Sequence, residues 1–382
     1  MPDHDVLTFA RGLSGRLATR SRHVSAFLGA GTSKACGLPD VAALQRAISS
    51  KLEKGNKTHF DNLITDRDLE QALSRLRRIA AIVEGTDRVD GLDAQSAKDL
   101  DSSICEVIVS EIAESDSNLD PVQLFAAWVA RADYTRPIEI FTVNYDLLLE
   151  QALDSAGVPY FDGFVGSLRA RFRSDLVEAS PSSDDYIPRF FARLWKLHGS
   201  LNWARSDSDV VRLGHPVPGG TPAAIYPSDT KYEESRRVPF VVLQDRLRRA
   251  LNEPESLTLV TGYSWSDAHL NELFFDATTR RPRSEVIAFC FDTIPDELAA
   301  HATKTPNLQV VTQSEAILGG IRAPWSIPAD ADDLPADIWK GNSVALGDFR
   351  SLAQFLARAT TTPSASEQPI PANRTDSRDS DG

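Results

Sequence analysis

Four short polar clusters each follow directly on an apolar run: Gly29-Ala30-Gly31-Thr32-Ser33, Thr142-Val143-Asn144-Tyr145-Asp146, His198-Gly199-Ser200 and Gly262-Tyr263-Ser264. Glycines at 29 and 31 permit a tight turn whose amides approach a ligand with no side chain in the way. N–H groups at a strand-to-helix turn attract anions, because they lack intrahelical partners and the helix dipole adds positive potential. That chemistry suits a phosphate. A histidine with an ordinary pKa of about 6.5, such as His198, can take up a proton near neutrality, whereas the amide of Asn144 can orient a group but accepts no proton. Each cluster also has a plainer reading. Asn144 and Asp146 suit helix N-caps, the Gly-Ala-Gly turn could simply join a strand to a helix, and a single histidine could be a packed core residue.

Two familiar phosphate loops fail on spacing. The dinucleotide fingerprint of dehydrogenases needs a third glycine where Lys34 stands, and neither Gly29 nor Gly31 opens the Gly-Lys-Ser/Thr pattern of a P-loop. A dehydrogenase is therefore excluded, although a dinucleotide ligand is not.

The elements that must position these clusters are buried strands. Val24–Leu28, 138–142, 194–197, 256–261, 285–291 and 308–312 are short apolar runs. Helical spacings lie between them: Val41, Leu44, Ile48 and Leu52 after a capping Asp40; Leu69, Leu73, Leu76 and Ile79; a stretch over 106–132; and Leu270, Leu273, Phe274 and Ala277 after a capping Asp267. Strands alternating with helices predict an α/β fold, a Rossmann-like and mostly parallel sheet with helices on both faces. Ligands of such sheets bind outside the carboxyl ends of the strands, so the four clusters should converge on one crevice. The expected organisation is an N-terminal extension over 1–22, a nucleotide-binding domain over 23–320 with a helical insertion at about 50–132, a C-terminal extension over 321–360, and a disordered Thr/Ser/Pro/Asp-rich tail over 361–382. Residues 202–238, rich in Pro, Gly and Asp, predict a long covering loop with short strands.

A net charge of −13 argues against a dedicated nucleic-acid binder, since phosphate backbones are held by clustered Lys and Arg. Three scattered cysteines, Cys36, Cys105 and Cys290, make neither a disulfide framework nor a four-cysteine zinc site. With no secretory signal in the first 22 residues and no run long enough to span a membrane, a cytoplasmic location is expected.

The clusters also carry a resemblance. Gly-Ala-Gly-Thr-Ser with Gly37-Leu38-Pro39-Asp40, then Thr-Val-Asn-Tyr-Asp, then Lys196-Leu197-His198-Gly199-Ser200-Leu201-Asn202-Trp203, resemble the successive motifs of the sirtuin family. Ile225-Tyr226-Pro227, Lys231-Tyr232 and Asp267-Ala268-His269-Leu270-Asn271 narrow the likeness. Together the motifs are similar to bacterial sirtuin-like NAD hydrolases of anti-phage defence, most of all the type that partners a HerA-type hexameric DNA translocase. The resemblance spans about residues 20 to 315.

That resemblance implies a regulated, oligomeric enzyme with NAD as its substrate. Gly29, Ala30, Gly31, Thr32 and Ser33 would hold the pyrophosphate, with Ser33 also near the nicotinamide ribose. Asn144, after Thr142 at its strand end, would position the water or the ribose, Tyr145 and Asp146 would contact the carboxamide, His198 would be the general base, and Gly262 and Ser264 would lie on the adenosine side. Deacylating sirtuins carry four zinc-binding cysteines, yet no Cys pair lies between Asn144 and Gly262, and Val41-Ala42 stand where Phe-Arg is expected. No zinc is therefore expected, and a protein deacylase ranks below an NAD hydrolase, with a non-catalytic NAD or ADP-ribose sensor as the third reading. The chemistry agrees: nicotinamide leaves neutral from a cationic precursor, so cleavage needs no carboxylic acid, only an oriented ribose, support for an oxocarbenium-like centre, and a base for the water. The roles of Trp203 and Lys231 are not assigned by any of this.

Overall fold

The apolar run at the start of the chain forms strand β1 (Val24–Leu28), and every one of its residues is buried. The structure, a computed structural model, describes residues 3–67, 69–85, 87–179, 191–206, 209–217, 222–224, 238–328 and 334–359. The remaining strands in chain order are β2 (Ile138–Thr142), β3 (Tyr160–Phe161), β4 (Phe164–Val165), β5 (Arg169–Phe172), β6 (Ala192–Lys196), β7 (Gly199–Ser206), β8 (Asp209–Leu213), β9 (Pro222–Ala224), β10 (Leu257–Thr261), β11 (Glu285–Phe289), β12 (Leu308–Val311), β13 (Glu315–Leu318), β14 (Ile321–Pro324), β15 (Trp339–Lys340) and β16 (Ser343–Val344).

Nine of them build one sheet in the order β14-β13-β12-β11-β10-β1-β2-β6-β3, parallel from β12 through β3 and closed at the other edge by antiparallel β13 and β14. The fold is thus α/β and Rossmann-like, with a mostly parallel sheet. Its strands alternate between two apolar faces. Ala26, Leu28, Ile138, Ile140, Leu194 and Leu259 point into a core shared with the helices Val6–Leu17, Asp120–Arg131, Leu148–Ser155 and Phe349–Ala359. Phe27, Phe141, Trp195 and Val260 point into the opposite core, under Phe240–Leu251, Ala268–Arg280 and Asp296–Ala302. A strand buried on both faces reads as a continuous apolar run, which is why these strands stand out in the sequence.

Helices Val41–Lys51, Lys54–Ile64, Leu69–Ile82 and Ala94–Glu114 gather round a third core built from Leu44, Ile48, Phe60, Leu73, Leu76, Ile104 and Ile108. Asp40 caps the first of them by accepting from the Ala43 amide at 2.9 Å. The single helix expected over 106–132 is two. Ala94–Glu114 starts behind Asp93, whose carboxylate accepts from the Ser96 amide at 2.8 Å, and Pro121 opens the separate helix Asp120–Arg131, which packs on the sheet and not on the insertion.

Short strands, as expected for the segment after Asn202, are present among its described residues. β7, β8 and β9 join β4 and β5 in a five-stranded antiparallel sheet, and Trp203, 1% exposed, lies inside it against Phe164 with ring centroids 4.8 Å apart. Among the described residues no helix is long and apolar enough to cross a membrane. Residues 225–227, 231–232 and 361–382 lie outside the described residues.

Candidate active site

Register brings the clusters together. Leu28 pairs with Thr261 on one side and with Thr142 on the other, and Thr142 pairs with Lys196. Four strands therefore stop on one line, and Gly29, Gly262, Val143 and Leu197 all begin their loops at the same level. The chain passes from β1 outward to β2 and β6, then crosses back to β10 on the far side of β1. Such a reversal is where open parallel sheets place their ligands.

The glycine turn is shaped first by a contact within the protein. A Cβ on Gly29 would lie 2.5 Å from the carbonyl oxygen of Gly262, and one on Gly31 would lie 2.7 Å from its Cα. Gly262, at φ +64°, would in turn put a Cβ 2.6 Å from the Thr32 amide nitrogen. Three glycines thus let two backbones touch. The Gly29 amide donates to Thr261 O at 3.0 Å, the Gly31 amide to Gly262 O at 2.8 Å, and the Thr32 amide to Gly29 O at 3.0 Å. These inward bonds account for most of the turn's donors. The exposed Ala30 opens the helix Ala30–Ala35, where its amide has no intrahelical carbonyl to meet.

Asn144 is tied to the same turn. Its Nδ2 lies 3.0 Å from Gly29 O, 3.0 Å from Thr32 Oγ1 and 2.8 Å from Ser33 Oγ, while its backbone amide donates to Thr142 Oγ1 at 3.0 Å. A backbone carbonyl can only accept, so the contact with Gly29 fixes which end of the amide faces the turn. Oδ1 is left as the end that can meet a ligand. Thr142 is fully buried, its hydroxyl donating to Leu28 O at 2.9 Å. Ser33 donates to Asp146 Oδ2 at 2.6 Å, and Asp146 Oδ1 accepts from the Leu148 amide at 3.1 Å, so this carboxylate both anchors the turn and starts the next helix.

Tyr145 also meets the helical insertion. Its ring packs against the core of the helical insertion, and burial pushes its hydroxyl well above the ordinary tyrosine range, with Cys105 and Asp146 adding to the effect. Its carbonyl accepts from the Leu201 amide at 2.9 Å, which ties the loop after β2 to β7. Ser264 is exposed and bonded to Ser266 at 2.7 Å.

His198 is buried, with Nε2 3.7 Å from Asp267 Oδ2. These residues follow β6 and β10, which stand three inter-strand spacings apart, about 14 Å at ordinary sheet geometry. Their contact brings the loops after β6 and β10 together across the two strands between them, β1 and β2. The loop carrying Asp267 is braced by aromatic contacts: Tyr263 meets Phe27 with centroids 5.0 Å apart and Trp265 with centroids 5.2 Å apart. Trp265 itself holds the left-handed backbone, φ +59°, that a bulky side chain seldom adopts.

Two residues stand inside the quoted motifs without a role assigned to them. Asp267 is read from sequence as a motif residue and a helix cap, and it is such a cap. Lys196, the last residue of β6, is 2% exposed, donates to the carbonyl of Asp146, and pairs with Glu150 Oε1 at 2.8 Å. Burial pushes the Glu150 carboxyl up and Lys196 opposes that rise. The pair braces the Asn144–Asp146 loop from behind.

Residues 138–311 match the SIR2-like domain family. The SIR2-like stretch carries three of the four clusters, and the fourth, Gly29–Ser33, joins them through its contact with Gly262. Among solved structures, one described as "Structural Basis for the Mechanism and Regulation of Sir2 Enzymes" is similar at 13% identity, with 76% of this chain and 88% of that chain covered and a TM-score of 0.37. No curated protein matches the chain.

Proposed function

We propose that this chain hydrolyses NAD to nicotinamide and ADP-ribose. The observation that carries the reading is the level ending of β1, β2, β6 and β10, over which a fixed amide, a glycine turn and an imidazole–carboxylate pair share one edge of the sheet. The SIR2-like match over three of the four clusters supports NAD as the substrate.

The residues fit such a ligand. The Ala30 amide, which has no intrahelical partner, can meet a phosphate oxygen, and Asn144, with Nδ2 held by the turn, presents Oδ1 to a ribose hydroxyl or a water. Bound there, NAD supplies a cationic nicotinamide that departs neutral with the electron pair of its glycosidic bond, so no acid is required of the protein. His198 takes the proton of the attacking water. Asp146, Ser33 and Lys196 keep Asn144 and the turn in register.

Uncontrolled loss of NAD kills a cell, so the activity is held in check until triggered. The motif resemblance supports an oligomeric effector of anti-phage defence assembled with a HerA-type translocase. The test is product analysis of the chain incubated with NAD, alone and with the translocase and DNA. Nicotinamide and ADP-ribose formed in equal amounts without any acyl-lysine peptide are expected. Release that depends on an acyl-lysine peptide marks a deacylase, and NAD bound but intact under every condition marks a sensor; either overturns the proposal.

A further inference from the structure

Asp267 does two things at once. Its Oδ1 accepts from the amides of His269 at 3.2 Å and Leu270 at 3.3 Å, capping the helix Ala268–Arg280, while its Oδ2 stands 3.7 Å from Nε2 of His198. The carboxylate cannot swing freely, because two amides hold one oxygen and the Tyr263 hydroxyl, 3.2 Å from the Asp267 carbonyl, holds its peptide. Both side chains are largely out of water, at 11% and 13% exposure. A separation of 3.7 Å is too long for a hydrogen bond but well within reach of an ion pair.

Resting on the hydrolase reading above, we propose that Asp267 is a positioning residue for His198: its carboxylate holds the imidazole over the carboxyl edge of the sheet and stabilises the imidazolium. In the step concerned, an O–H bond of water breaks as its oxygen bonds the ribose carbon. The proton passes to the imidazole, nicotinamide leaves with the glycosidic electron pair, and Asp267 stays ionised throughout. A fixed carboxylate beside a histidine base serves the same two ends in hydrolases of unrelated fold.

Among the described residues, charged groups stand on several elements around the imidazole. From the loop after β10, Asp267 faces it. From the loop after β2, the titratable groups are Tyr145, packed on the insertion, and Asp146, bonded to Ser33. Lys196, on the strand that leads to His198, is turned to Asp146 and Glu150, and Glu297 reaches Asn271.

Asp267→Asn and Asp267→Ser remove the charge and keep a residue that caps helices well, so both variants should fold. The first readout needs no activity: an NMR titration of the full chain labelled in its histidine rings, without NAD, with His198→Ala used to assign the signal. The midpoint of His198 should fall by about one pH unit or more in both variants. An unchanged midpoint overturns the pairing, whether or not the chain cleaves NAD. The second readout is nicotinamide release. The expected result is a kcat lower by roughly 10- to 100-fold, a KM within about threefold of wild type, and an acid limb of the pH profile moved to lower pH. A retained kcat, or a loss confined to KM, overturns the positioning role. If His198→Ala cleaves NAD as well as wild type, the base role of His198 fails; if wild type leaves NAD intact, the hydrolase reading fails; in both cases the titration still decides the pairing.

Discussion

Gly31 is held by what touches it. It has no φ that demands glycine, yet an added Cβ would sit 2.7 Å from the backbone of Gly262, which no side-chain rotation relieves. Gly31→Ala is therefore expected to lower stability by about 1–3 kcal/mol, the usual range for overpacking, and to lower NAD turnover further by displacing Asn144 from the turn. Urea unfolding and turnover measured on the same preparation check this, and a Gly31→Ala chain of wild-type stability would show that the two loops do not touch. At this scale much of the site is legible in the sequence. A glycine pair, an Asn-Tyr-Asp and a His-Gly-Ser each stop an apolar run, and only strand ends of a parallel sheet make that coincidence useful. Asp267 is legible as a cap and as the first residue of the Asp267–Asn271 motif, but not as a neighbour of His198, because its second oxygen meets that partner across two intervening strands. Tyr145 is legible as a neighbour of Asn144, but its ring answers to the hydrophobic core of the insertion.

Strand β2 carries a charge where its neighbours are apolar. Glu139 is 1% exposed and takes Trp195 Nε1 at 2.7 Å, His23 Nε2 at 3.0 Å and a bidentate contact from Arg246, whose Nε is 2.7 Å away. Burial alone would raise its pKa. The hydrogen bonds from His23 and Arg246, with the Arg246 charge, outweigh burial and hold the carboxyl well below the usual carboxylate range. This network ties the helix Phe240–Leu251 to the sheet near the ends of β1 and β2 opposite the site. A carboxyl whose pKa is depressed on folding contributes stability above its ordinary value of 4.5, and that contribution is lost as pH falls through the acid range. Glu139→Gln should cost about 3–5 kcal/mol at neutral pH by leaving Arg246 without its counter-charge, and should flatten the acid dependence of the melting temperature. Equal acid slopes for variant and wild type in calorimetry would contradict this. Elements differ in legibility for a physical reason. Strands buried on both faces are unbroken apolar runs, whereas β4, β5, β8 and β9 are two to five residues long and interrupted by Gly, Pro and charge, so their sheet is set by pairing and by Trp203.

In the molecule as a whole, two cores sandwich the nine-stranded sheet and a third core belongs to helices inserted between β1 and β2. The insertion meets Tyr145, so the segment that separates the glycine turn from Asn144 in sequence packs in space on the residue next to Asn144. The alternation of strand and helix announces the doubly covered sheet. The helical boundaries are harder to read, because a polar stretch such as 85–103 hides a helix start that one capping aspartate decides. Loops from β1, β2, β6 and β10 are proposed to make a single NAD-cleaving site. Nicotinamide release from NAD, with the translocase and DNA present, decides the matter when measured for wild type, Asn144→Ala and His198→Ala at matched folding. Release by wild type is expected, with a loss of roughly 100-fold or more in each variant, in keeping with the removal of a base or of the group that orients its water. Release by either variant at the wild-type rate, or intact NAD with the wild-type chain, contradicts it.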